Sequence, residues 1–246
     1  MEQIKQAELI KYWMAQGVRF LAAHTVHIDH DVHIGSGAII DANVHLKRAS
    51  KLGAGVVVHP FSIIDHSVLE DGAEIYAHSI IKNSHIGARA QVGPFAHVTE
   101  NSIIQEGAII GNFVEVKRST IGKKSKAKHL AYLGDATLGN GVNIGAGTIT
   151  CNHDGVQKHA TIIKDGAYVG SNNTLVAPLT IEENAFTAAG STITASVPQD
   201  ALAIGRARQV IKEGYAKKLR AKKKQQDAPF IAALKTDGDT TLSEGQ

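Results

Sequence analysis

Near the N-terminus an aliphatic residue stands at every sixth position: Ile28, Ile34, Ile40, Leu46, Leu52, Val58 and Ile64. A helical turn of about 3.6 residues scatters such a series around its axis, whereas in a strand six is an even offset and all seven side chains share one face. Small or β-branched residues follow four positions after each mark, at Val32, Ala38, Val44, Ser50, Val56, Ser62 and Val68. The pattern predicts short strands bending at fixed intervals, as in a β-helix or solenoid. With occasional five-residue steps it continues through Leu69, Ile75, Ile81, Ile86, Val92, Val98, Ile104, Ile110 and Val116, then Ile121, Ala127, Leu133, Leu138, Ile144 and Thr150. It resumes at Ile163, Val169, Leu175, Ile181, Thr187 and Ile193. The interruption, Cys151 to Ile162, predicts a loop ejected from the solenoid, where function concentrates in repeat proteins. At roughly eighteen residues per coil, about nine or ten coils are expected.

The two ends read differently. Ile4, Ala7, Ile10 and Trp13 are spaced as one face of a helix and Gly17 stops it, so an amphipathic helix is expected over 2–16. From about Ala201 the hexads vanish, and 206–224 reads RARQVIKEGYAKKLRAKKK. Its basic run, Lys217–Lys224, is either a phosphate- or nucleic-acid-binding tail or a solvated, partly disordered terminus. No aromatic residue interleaves it as in single-strand binders, which favours the second reading. The expected organisation is a helix over 1–17, a β-helix domain over 18–200 with the loop 151–162, and an arm and tail over 201–246.

Composition narrows the class. A chain of 246 residues with 5% aromatics suits a narrow interior filled by Ile, Leu and Val. A net charge of +3 does not mark a nucleic-acid binder. The only cysteine, Cys151, forbids an intrachain disulfide and fits a reducing compartment. No apolar run is long enough for a membrane span, and the Glu and Lys mixed through the first residues are not those of a signal peptide. A cytoplasmic location is the expectation.

The densest chemistry lies in GNFVEVK, SKAKHLAYLGD, NIGAGTITCN and the VGS…LVAP stretch of 111–180. Together these strings closely resemble the C-terminal acetyltransferase domain of the bifunctional GlmU enzymes, hexapeptide-repeat acyltransferases that acetylate glucosamine-1-phosphate and then add uridylate. The resemblance covers roughly 18–215. It implies an all-β fold, a left-handed parallel β-helix, although the usual crossover rule favours the opposite hand. It also implies a homotrimer with sites between subunits and acetyl-CoA as cosubstrate, without a metal.

The resemblance assigns His129 as general base. Attack on a thioester requires a neutral amine, and imidazole titrates in the range suited to taking its proton. Glu115 either accepts a hydrogen bond from that imidazole or is an ordinary outward-facing strand carboxylate. Lys117, Tyr132, Asn143 and Lys158 match positions that hold the amino-sugar phosphate, the lysines for the anion and Tyr and Asn for hydroxyls. Lys158, in the ejected loop, would reach a neighbouring subunit. Asn152, Ser171, Ala189 and Arg206 match positions near acetyl-CoA, Arg206 meeting the nucleotide phosphates. Cys151 falls where the family has a non-nucleophilic cysteine.

Two departures stand out. After Gly93 to Ala96, Thr99 occupies the position of a phosphate-contacting arginine, with His97 or Arg118 as candidate substitutes. His153 replaces a common tyrosine beside Asn152. A different amino sugar and a degenerate, non-catalytic paralogue therefore remain open. No Gly-rich nucleotide loop occurs, so uridylation is not expected of this chain and would fall to a separate uridyltransferase. Nor does sequence separate a free-standing acetyltransferase from part of a longer enzyme. A rival reading makes His59, His78 and His97, nineteen residues apart, a zinc-binding column. They follow their aliphatic marks by one, three and five residues, so they are expected to drift along the coil rather than stack.

Overall fold

All the aliphatic marks turn inward. Ile28, Ile40, Leu46, Val58 and Ile64 have no solvent exposure, and the series stays buried through Ile193. The structure, a computed structural model, describes the backbone of residues 2–236 and the side chains of 5–228. Strands of two to four residues follow one another around a triangular coil. They join, parallel and in register, into three sheets of eleven, ten and nine strands. Each strand pairs with its counterpart one coil later, for example His97 with Glu115 and Val98 with Val116. The result is the all-β, left-handed parallel β-helix of about ten coils. Its core is a single column of Ile, Leu, Val and Ala.

The second inward column corrects one expectation. Val68 is 38% exposed, and Ser67 is buried in its place. The step from Ile64 to Leu69 has five residues, so the inward position falls three after the mark instead of four. Buried serines survive here because the backbone satisfies them. Ser119 Oγ lies 2.9 Å from the Lys117 carbonyl and accepts the Ala136 N–H at 2.9 Å.

The helix α1 (Glu2–Ala15) sits against the first coil, where Ile10 is buried and Trp13 packs on the core. The side chain of Ile4 lies outside the described residues. Gln6 fixes the helix by exchanging two hydrogen bonds with the Ile28 backbone, 2.8 and 3.0 Å. At the other end, Val197 is buried and Leu202–Ala203 adds the last strand, past the point where the hexads fade. The ejected loop is shorter than the sequence pattern suggests. Cys151 still pairs with Val176 and Thr161 with Ala136, so only 152–160 leaves the coil. A second unit begins at Ala207 and contains the helix α2 (Tyr215–Thr236), which includes the basic run Lys217–Lys224.

Candidate active site

Coils of seventeen residues decide which polar side chains meet. His129 ends the strand Lys126–His129 and pairs with Asn112 of Ile109–Asn112. Its Nδ1 lies 2.7 Å from Asn112 Oδ1, and the imidazole is otherwise exposed. Glu115 falls instead beneath Tyr132 in the neighbouring sheet. Among the described residues the imidazole thus rests on Asn112, and the hydrogen bond considered for Glu115 is not made. Gly111 allows this approach, since an added Cβ would sit 2.0 Å from the Lys128 carbonyl oxygen.

Around the corner from His129 lies a face of the ten-stranded sheet. The strands Glu115–Lys117 and Tyr132–Gly134 bury Val116 and Leu133 and direct Glu115, Lys117 and Tyr132 outward. Tyr132 lies back over Gly134, where a Cβ would fall 2.4 Å from its hydroxyl. Asn143 belongs to the adjoining eleven-stranded sheet, paired with Lys126 and Tyr168.

The far edge of this face is a charged corner. Lys117 Nζ lies 2.8 Å from Glu100 Oε1, and Glu100 also meets Arg118. Arg118 grips Asp135 with two bonds, 2.7 and 3.0 Å, and Asp135 further accepts the side-chain amide of Asn152. The hydrogen bond from Lys117 holds the Glu100 carboxyl below its ordinary range and raises Lys117 in turn. Arg118 does the same to Asp135. Thr99, paired with Lys117 one coil on, is buried and brings no charge. Lys158 is exposed on the ejected loop. Asp154 organises that loop, accepting N–H bonds from Val156 and Gln157 at 2.8 Å and the His159 ring at 2.7 Å. Those bonds hold its carboxyl well below the usual range.

The corner that carries His129 continues along the helix axis. The Gly147 N–H reaches the His129 carbonyl at 3.4 Å, Asn172 reaches Ala146 at 2.7 Å, and Gly190 reaches Ser171 at 2.8 Å. His129, Ala146, Ser171 and Ala189 therefore occupy one line over consecutive coils, spanning about 15 Å. Arg206 follows Gly205, whose carbonyl accepts the Thr192 N–H at 3.0 Å. Asn152 is not on this line. It lies at the charged corner with its amide committed to Asp135.

Below His129 the same corner turns apolar. Phe61, His78, Phe95 and Phe113 stack ring on ring with centroids 4.9, 4.9 and 5.3 Å apart. All four adopt positive φ, between 55° and 61°, a conformation costing an L-residue about 1–2 kcal/mol. A groove of about 430 Å³ runs beside them, lined by Gly93, Phe95, Gly111, Asn112, Phe113 and His129.

The histidines of the zinc reading part company. His59 bonds Glu74 and stacks on Tyr76, His78 belongs to the corner stack, and His97 lies in a strand of the second sheet. Among the described residues no group of three or more His, Cys, Asp or Glu is arranged to hold a metal ion. Nor is any helix there long and apolar enough to cross a membrane.

Asn112 is the residue that sequence reasoning missed. It sits in the GNFVEVK string already singled out, and a separation from His129 of seventeen residues, one coil with a single five-residue side, was the signal.

Comparison with known proteins agrees with this architecture. Residues 22–108 match the family model of the GMPPB C-terminal domain. The bifunctional protein GlmU of Koribacter versatilis is 49% identical over 212 residues, 86% of this chain and 45% of that protein. GlmU of Streptococcus thermophilus is 49% identical over 217 residues, 87% of this chain and 46% of that protein. The chain thus spans about half the length of the curated relatives it matches. LpxA of Acinetobacter baumannii shares the fold with a TM-score of 0.56 at 16% identity, covering 90% of this chain and 86% of that one. Over most of its own length the chain is thus similar in sequence to about half of each of these GlmU proteins, and it shares with LpxA the left-handed β-helix fold.

Proposed function

We propose that this chain transfers the acetyl group of acetyl-CoA to the amine of an amino sugar, with His129 as general base. The observation that carries the reading is the line from His129 through Ser171 to Ala189 beside a sheet face bearing Glu115, Tyr132 and Lys117. An extended pantetheine arm lying on that line brings its thioester to the imidazole, and Arg206 beyond the last strand suits the nucleotide phosphates. As the amine nitrogen attacks the thioester carbonyl, Nε2 of His129 takes its proton. The tetrahedral intermediate then collapses, the C–S bond breaks, and coenzyme A leaves as a thiolate that regains a proton. No acyl-enzyme is required, and Cys151 is not a nucleophile in this scheme.

Glucosamine-1-phosphate is the acceptor against which others are compared: sugar hydroxyls fall to Tyr132 and Asn143, and a phosphate, where the acceptor carries one, falls to the corner of Lys117 and Lys158. The proposal extends to acetyl transfer alone, in a cytoplasmic setting, and calls on no metal. The working assembly is a homotrimer. The exposed stack Phe61–His78–Phe95–Phe113, continuous with the groove at His129, is the surface a second copy would cover. Asn152 and Lys158, at the opposite corner, would then serve a neighbour's site. Acetyl-CoA-dependent thiol release across a panel of amino sugars and their phosphates tests the function. Release with at least one amine acceptor supports it, and none with any acceptor ends it.

A further inference from the structure

Two carboxylates, Glu100 and Asp135, pair with two cations, Lys117 and Arg118, at the charged corner, and Lys158 acts on Asp135 as a further cation without bonding Glu100. Asp135 takes both guanidinium bonds of Arg118 and the Asn152 amide. Among the described residues Lys117 has one carboxylate within reach, Glu100, at 2.8 Å. Glu100 is itself 44% exposed and stands on the rim of the sheet face that bears Tyr132 and Lys117, so its carboxylate occupies solvent-facing space that a ligand anion would need. Buried Thr99 supplies no further cation. Lys117 and Arg118 are therefore already neutralised from within the chain.

We infer that Glu100 is a specificity-determining residue: its carboxylate fills the anion position of the sugar site, so the acceptor is an amino sugar bearing no dianionic phosphate at that point. The inference rests on the proposed acetyl transfer to an amino sugar and narrows it. A phosphate monoester binding here must displace Glu100 from Lys117 and then lie beside the displaced carboxylate. Two like charges at that separation repel, and what Lys117 gains from the phosphate is offset by the loss of Glu100. A neutral acceptor meets neither obstacle, since Tyr132 and Asn143 offer it hydroxyl partners without removing Glu100.

The test measures binding of glucosamine and glucosamine-1-phosphate by calorimetry to the whole protein and to its Glu100→Gln and Glu100→Ala variants. The wild type is expected to bind glucosamine-1-phosphate no more tightly than glucosamine. Both variants should bind the phosphate at least about tenfold more tightly than the wild type, with glucosamine affinity unchanged. A wild type that prefers the phosphate by more than about tenfold, or variants that leave the preference unchanged, would overturn the assignment of Glu100. If neither sugar binds any of the three proteins, the sugar site fails and this inference fails with it. The expected binding pattern without acetyl transfer would sink the catalytic proposal and leave the role of Glu100 standing.

Discussion

Asn112 Oδ1 lies 2.7 Å from His129 Nδ1, one coil below it. With the carbonyl end of the amide facing the ring, Nδ1 carries the proton and Nε2 is left as the basic nitrogen. Asn112 therefore acts as a positioning residue for the proposed base. Asn112→Ala should lower kcat by about tenfold and Asn112→Asp should move the acid limb of the kcat profile to higher pH by stabilising the imidazolium, with KM for acetyl-CoA unchanged in both. Unaltered kcat and pH profile in both variants would show that the contact does not orient the ring.

The glycine beneath His129 is tested separately. A Cβ at Gly111 would fall 2.0 Å from the Lys128 carbonyl oxygen and 2.6 Å from its carbon, backbone of the strand that carries His129. Gly111→Ala should destabilise the fold by about 1–3 kcal/mol, read as a lower denaturation midpoint. Ile110→Ala, which empties a fully buried position next door, should cost about 2–5 kcal/mol. A Gly111→Ala protein as stable as the wild type would contradict the packing described here.

Much of this was legible before the structure. Period six fixed which residues point inward, because one inward side chain per coil side leaves no alternative once the strands are short. Val68 escaped that rule because a five-residue side shifts the inward place by one. Asn112 escaped because its partner lies one coil away, so the contact is visible only in stacking across coils and not within the motif that holds Asn112. The Glu100–Lys117 pair was hidden more deeply. Both residues are polar and lie seventeen apart, and nothing in the hexads distinguishes an ion pair from two solvated side chains. The loop is narrower than Cys151 to Ile162 because β-pairing persists at both ends after the aliphatic rhythm has lapsed.

Acid should expose the charged corner. Asp65, Glu100 and Asp135 are held below the ordinary carboxylate range by Arg48, Lys117 and Arg118 respectively. Their folded values lie below the unfolded ones, so their contribution is complete above about pH 4 and is lost as pH falls through the folded values. Tm should be nearly level from about pH 7 to 5 and drop below about pH 4. Arg118→Gln should lower Tm near neutrality and flatten the acid drop. An acid limb as steep in that variant as in the wild type would separate Asp135 from the effect.

The aromatic corner predicts assembly. Phe95 and Phe113 are about half exposed and hold positive φ, a conformation asparagine tolerates better than phenylalanine. The double variant Phe95→Asn, Phe113→Asn should keep the β-helix yet shift the light-scattering mass from three chains to one. A three-chain mass retained by the double variant would place the subunit contact elsewhere.

The central claim is most directly tested by following thiol release from acetyl-CoA with the best amine acceptor, in the wild type, His129→Ala and Cys151→Ala. The account predicts a kcat about 10²–10⁴ lower for His129→Ala, with coenzyme A binding largely intact and Cys151→Ala fully active. Turnover by His129→Ala at the wild-type rate would contradict it.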